Sequence, residues 1–164
     1  MKKIGLIVLT LVLLLATVAC TEEEPAPTES LFADMKVGGT VIAIDAEAVP
    51  ILAALGQEIA YEESPSCAFE GMDKIYAYSG YRVQTYTKDG KDYIRSVELI
   101  DDSLATPEGI AIGAAQADVI SAYGTPTKQT DTSIQYENTA QKTVLQFILR
   151  NGAVTNIQYL KAEA

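Results

Sequence analysis

Histidine is absent from this 164-residue sequence, and with it go the usual general base and the commonest zinc ligand. No Ser-His-Asp or Cys-His arrangement can be built from the chain. Tryptophan is also absent, which argues against a carbohydrate-binding platform. Cysteine occurs twice, at Cys20 and Cys67. Only Cys67 lies in the part expected to fold, so no disulfide is expected there and core packing alone must hold the domain. Basic residues are scarce, 12 against 22 acidic, for a net charge of −10 at pH 7. Phosphate backbones require a basic footprint, so nucleic-acid binding is not expected. Acid excess favours solubility and repels polyanions but identifies no partner.

What is present begins with an address. Met1-Lys2-Lys3 precedes an apolar run from Ile4 to Leu15, followed by Ala16-Thr17-Val18-Ala19-Cys20. Cations, a short apolar stretch and small residues before a cut form a secretory signal layout, expected over residues 1–19. The apolar run is about 12 residues, short of the roughly 20 that cross a hydrocarbon core. Thr17-Val18-Ala19-Cys20 resembles the bacterial lipobox, at which a prolipoprotein is cleaved just before an acylated cysteine. Thr17 departs from that pattern, where leucine is usual. The resemblance implies a lipidated Cys20 and an extracytoplasmic protein anchored to the cell membrane by more than one acyl chain, the condition for stable anchoring. Cleavage before Cys20 would remove Lys2 and Lys3 and no acid, leaving a net charge of −12. Residues 20–30 then form an acidic spacer with four glutamates and no large apolar side chain. It cannot bury surface to offset the entropy of ordering. Extended, it would reach roughly 30 Å, and anionic lipid would repel it.

Residues 31–164 are expected to form one domain of ordinary size, in halves of about 31–103 and 104–164. Ile44 to Gly56 and Ile112 to Gly124 align at a spacing of 68 residues. Both leave an apolar strand end, carry an alanine-rich body and stop at glycine. Ile51, Leu52 and Leu55 share a helical face, as do Val119, Ile120 and Tyr123. Gly56 and Gly124 suit a left-handed residue after a helix, and Pro126 follows the second. Asp45 is expected to cap the first helix, and Pro50 confines that helix to a start at or after Ala46. Each helix should run about three turns. Strands are predicted over 74–78, 81–87 and 93–100, then 133–137, 143–150 and 154–160. Asp89-Gly90 and Asn151-Gly152 mark hairpins. Further strands are possible over 31–35, 40–44 and 109–112.

The fold class predicted is α+β: two tandem α-β-β-β repeats in one antiparallel sheet, with both short helices on one face and the other face open. A short helix ending in Tyr-Gly or Leu-Gly before a run of strands, used twice, resembles the tandem repeat of beta-lactamase inhibitor proteins. It is also similar to the small outer-membrane lipoproteins of the barrel-assembly machinery. Gly113 to Pro126 carries the clearest part of the likeness. The inhibitor repeats have disulfides that this chain cannot form. The resemblance implies a fold and a habit of binding proteins, and carries over no functional residue.

The remaining candidates are single residues and loops. Cys67 sits among Glu62, Glu63, Glu70 and Asp73, which disfavour a thiolate. A free cysteine is among the most buried residue types, so Cys67 is expected to be packed and slow to react. Those acids, and Asp101-Asp102, do not match the spaced ligands of an EF-hand loop, and no metal or cofactor is expected. Paired carboxylates could serve glycoside hydrolysis, so a carbohydrate-active or hydrolytic protein is the alternative reading. Five of the nine tyrosines fall at Tyr76, Tyr78, Tyr81, Tyr86 and Tyr93. Matching Gly90 to Gly152 turns Val83 and Thr85, with Leu145 and Phe147, toward the helices. The open face should then present Arg82, Gln84 and Tyr86, and by pairing some of Tyr76 and Tyr78. Tyrosine and arginine are enriched at interface centres. The expectation is a non-catalytic binding or assembly module at the cell envelope, with an extracytoplasmic protein partner.

Overall fold

The structure is a computed structural model that describes residues 32–162. The signal segment, Cys20 and the acidic spacer lie outside the described residues, as does Leu31. Ten strands and two helices follow one another. A hairpin of β1 (Met35–Val37) and β2 (Thr40–Ile42) leads to α1 (Ala48–Leu55). Then come β3 (Ala60–Pro65), β4 (Glu70–Tyr78), β5 (Tyr81–Lys88) and β6 (Lys91–Leu99). The second half runs α2 (Gln116–Tyr123), β7 (Lys128–Gln129), β8 (Ser133–Asn138), β9 (Thr143–Arg150) and β10 (Ala153–Lys161). The fold class is α+β. The large sheet is antiparallel throughout, in the order β3-β4-β5-β6-β10-β9-β8-β7.

Turn chemistry explains the hairpins. Asp89-Gly90 and Asn151-Gly152 both hold positive φ, at 51° and 73° and at 53° and 76°. Two left-handed residues in a two-residue loop match the twist of paired strands. At the centre, β6 meets β10 in the register Leu99↔Ile157 to Ser96↔Leu160. Beyond that pairing, the segments leading to the helices take over. Asp45 N–H donates to Ile94 O at 2.8 Å and Ile94 N–H to Ala46 O at 2.9 Å. At the other end, Gly113 N–H donates to Val154 O at 2.8 Å and Val154 N–H to Ala114 O at 2.9 Å.

One sheet face is apolar and sealed. Val83, Val97, Leu99, Ile134, Tyr136, Leu145, Phe147 and Ile157 are fully or almost fully buried in one cluster with Ala48 of α1 and Val119 and Tyr123 of α2. Fully burying a side chain such as Ile157 is worth about 1.5–3 kcal/mol relative to exposure. Val83, Leu145 and Phe147 lie where the alternation puts them, and Thr85 is buried beside them.

Several local expectations need correction. Each helix has eight residues, about two turns rather than three. Asp45 does not cap α1: the cap position is Glu47, without a side-chain hydrogen bond. Asp45 takes a left-handed φ of 66° instead, a conformation that Asp tolerates better than most residues. Pro50 falls in the first turn of α1, where its missing N–H costs nothing. Each helix is followed by four strands, because β3 and β7 form the two edges. Residues 109–112 form no strand, only a bridge between Ala105 and Ala111. Cys67 is exposed rather than packed, in the loop between β3 and β4.

Candidate functional site

On the face away from the buried cluster, the central strands carry polar side chains that bond to one another. Arg82 and Gln84 alternate outward on β5, Ser96 and Glu98 on β6, and Asn156 and Gln158 on β10. Glu98 collects three of them. Its Oε1 accepts from Asn156 Nδ2 at 2.7 Å and from Gln158 Nε2 at 3.3 Å, and its Oε2 stands 3.6 Å from Arg82 Nη1. Ser96 Oγ donates to Gln84 Oε1 at 3.4 Å. The result is a strip across three strands, fixed by side-chain hydrogen bonds and open to solvent at Arg82.

Where β6 bulges at Arg95, the strip ends in an aromatic cluster. A bulge sets an extra residue on the strand and re-aims its neighbours. Tyr86 lies opposite Tyr93, with ring centroids 5.8 Å apart, and Phe69 covers it at 4.4 Å. Arg95 sits 5.1 Å above Phe69 and 3.6 Å from Asp73. The Tyr86 hydroxyl donates to the Asp45 carboxylate, which also pairs with Lys161 at 2.5 Å. Lys161 Nζ stands 5.2 Å over the Tyr86 ring, within the range of a cation–π contact. An open pocket of about 560 Å³ lies alongside, lined in part by Phe69, Tyr86, Lys88, Asp89 and Lys161.

These groups hold their protons or charges firmly. Burial pushes the Tyr86 hydroxyl up, and its hydrogen bond to Asp45 adds to that. Burial works against the charges on Asp45 and Lys161, but the bonds among Asp45, Lys161 and Tyr86 outweigh it. The carboxyl is held below its usual range and the ammonium above. The trio is therefore a fixed ion pair with a neutral phenol.

The five residues expected on the open face divide. Arg82 is exposed and Gln84 half-buried, both on the outer face. Tyr86 shares their alternation and stands apart from the core cluster, yet it is only 3% exposed because the Phe69 loop covers it. Tyr78 lies directly opposite Tyr81, rings stacked at 4.8 Å, both buried in the core. Burial there pushes the Tyr78 hydroxyl up to about 12. Tyr76 pairs with Val83 and packs half-buried against the same core. Tyr76 and Tyr78 are therefore inner-face residues, and the expectation that they are open is corrected.

Among the described residues no group of three or more His, Cys, Asp or Glu side chains is placed to hold a metal ion. Asp92 bonds Lys74 at 2.6 Å, Asp73 faces Arg95, and Glu63 accepts from Tyr61 at 2.5 Å. Asp101 closes a local turn onto Ser103. Sequence reasoning missed Glu98, Phe69 and Lys161 altogether. Lys161 and Asp45 lie at opposite ends of the domain's sequence, and only strand order brings them together.

No protein-family model and no curated protein matches the chain. Two solved structures resemble it in outline. One is an extracellular protein containing a SCP domain from Bacillus anthracis str. Ames, at 12% identity and a TM-score of 0.48. That match covers 87% of this chain and 50% of the other, so the chain spans about half the length of that protein. The other is the uncharacterized protein yfeY from Escherichia coli, at 14% identity and a TM-score of 0.47, covering 79% of this chain and 98% of the other.

Proposed function

We propose that this chain is an extracytoplasmic lipoprotein, anchored to the cell membrane through Cys20, whose globular domain is a non-catalytic protein-binding or assembly module. The signal layout and the lipobox-like ending support the anchor. The observation that carries the binding reading is the polar strip from Arg82 through Glu98 to Gln158. It lies on the three central strands of the sheet, opens to solvent at Arg82, and has its side chains linked by hydrogen bonds. Preorganised side chains on a rigid element lose little freedom when a partner docks. The Asp45–Tyr86–Lys161 trio is poorly suited to proton transfer, because each member is shifted away from neutral pH.

The same proposal reads the domain as two repeats joined at β6 and β10, with both helices on one face and the strip on the other. The two pairs of backbone hydrogen bonds support it, being related by the same offsets of 68 and 60 residues. The bridges Glu47↔Tyr93 and Ala115↔Ala153 share those offsets.

Two experiments test the proposal. Cys20→Ala should release the protein from membranes or leave it uncleaved; a mature-sized, membrane-bound variant contradicts the anchor. Arg82→Ala combined with Gln84→Ala should abolish co-purification of a partner from solubilised membranes, with thermal unfolding unchanged. A full complement of co-purifying protein contradicts the strip.

A further inference from the structure

The first half of the sheet ends in a strand that no described residue covers on its outer edge. β3 is six residues long, exposed at every position, and paired among the described residues only with β4. Along its other side, backbone N–H and C=O groups face solvent, a ready template for one more strand. The opposite edge, β7, has two residues and offers no such length.

The surface around β3 is apolar and acidic at once. Tyr61 lies opposite Tyr76, with rings 5.1 Å apart, and is 44% exposed; Ile59, just before the strand, is 74% exposed. Glu62 points to the other face, and Glu62, Glu63, Ser64 and Asp73 line a hollow of about 80 Å³. Glu62 and Glu63 form no ion pair with any described residue. Lys74, opposite Glu63, is engaged by Asp92 at 2.6 Å. Two copies of this edge would bring glutamate against glutamate, which destabilises a strand pair. The charge that opposes self-pairing favours a cationic strand.

We infer that β3 receives an extended basic segment of a partner protein, added to the sheet as a further strand. Lysine or arginine side chains of that segment meet Glu62 on one face, and its apolar side chains meet Ile59 and Tyr61 on the other. Main-chain hydrogen bonds supply affinity, and the alternation of the segment supplies specificity. This names a second surface and a partner class; it rests on the reading of the domain as a protein-binding module but not on the strip around Glu98.

The test uses the full chain in detergent and a short labelled peptide alternating lysine and valine. Saturable binding is expected, weakened at least about tenfold by Glu62→Lys combined with Glu63→Lys. The decisive arm keeps the wild-type chain and N-methylates alternate peptide amides in one phase or the other. A strand uses every second amide toward its neighbour, so one phase should lose binding and the other retain it. Equal binding by both N-methylated peptides means charge adsorption alone and overturns the inference. Absence of saturable binding overturns it too. So does a dimer, seen by sedimentation, that the peptide dissociates, because a second copy is then the occupant. Failure here leaves co-purification through Arg82 and Gln84 intact, whereas failure of both removes the module itself.

Discussion

Tyr86 sits under Phe69 with its hydroxyl on Asp45 and Lys161 over its ring, so its role is to hold the bulged corner of the outer face together. Tyr86→Phe keeps the ring packing and removes one charge-assisted hydrogen bond, and should cost about 1.5 kcal/mol in urea unfolding. An unchanged midpoint would show that the bond contributes nothing. Asp92 gives the clearest pH dependence. Burial raises its pKa, but the bonds from Lys74 and Thr87 outweigh that and hold it below its usual value. Such a carboxylate stabilises the fold above its unfolded pKa, and the contribution is lost as pH falls through the lower folded value. Asp92→Asn should therefore cost about 1–2 kcal/mol at pH 7. The gap from wild type should close below about pH 4. A constant gap across that range contradicts the ion pair. Cys67 is exposed, so a thiol reagent should modify it in the folded chain within a small factor of its rate in denaturant. Strong protection in the folded state would contradict the loop as described.

Among the elements, β5 shows what alternation can and cannot fix. Tyr81, Val83 and Thr85 face inward as their spacing requires, and Thr85 carries a buried hydroxyl without a hydrogen-bond partner among the described residues. An unsatisfied buried hydroxyl costs free energy that an isosteric methyl does not. Thr85→Val should stabilise the domain by about 1 kcal/mol, read from its thermal midpoint; a loss would mean that the hydroxyl has a partner. The hairpin turns and both helix ends were legible because glycine and Asn-Gly or Asp-Gly act locally. Gly56 and Gly124 hold φ of 84° and 75°, where a side chain is strained. Tyr78 was expected outward and lies inward, although the two-residue turn Ser79-Gly80 sets it against the inward-facing Tyr81. β3 was not legible: Ala-Tyr-Glu-Glu-Ser-Pro reads as a loop, and an edge strand exposed on both faces needs no apolar alternation. Neither was the cap of α1, because tertiary contacts drew Asp45 to Tyr86 and Lys161.

At the scale of the whole molecule, the proposal joins an acidic domain to a lipid tether and two surfaces for protein partners. Ala48 of α1 and Val119 and Tyr123 of α2 join the buried cluster, and the Arg82–Glu98–Gln158 strip lies on the other side of the central strands. That site could not be read from the sequence, because Glu98 and Gln158 lie in different halves and meet only where β6 pairs with β10. The most direct test is site-specific photocrosslinking in intact cells, with the probe at Gln84 on the strip and, for comparison, at the exposed Ala122 of α2. The account predicts a discrete crosslinked species from position 84 that position 122 does not give. Equal crosslinking from both positions, or none from 84 while the protein is folded at the cell envelope, would contradict it.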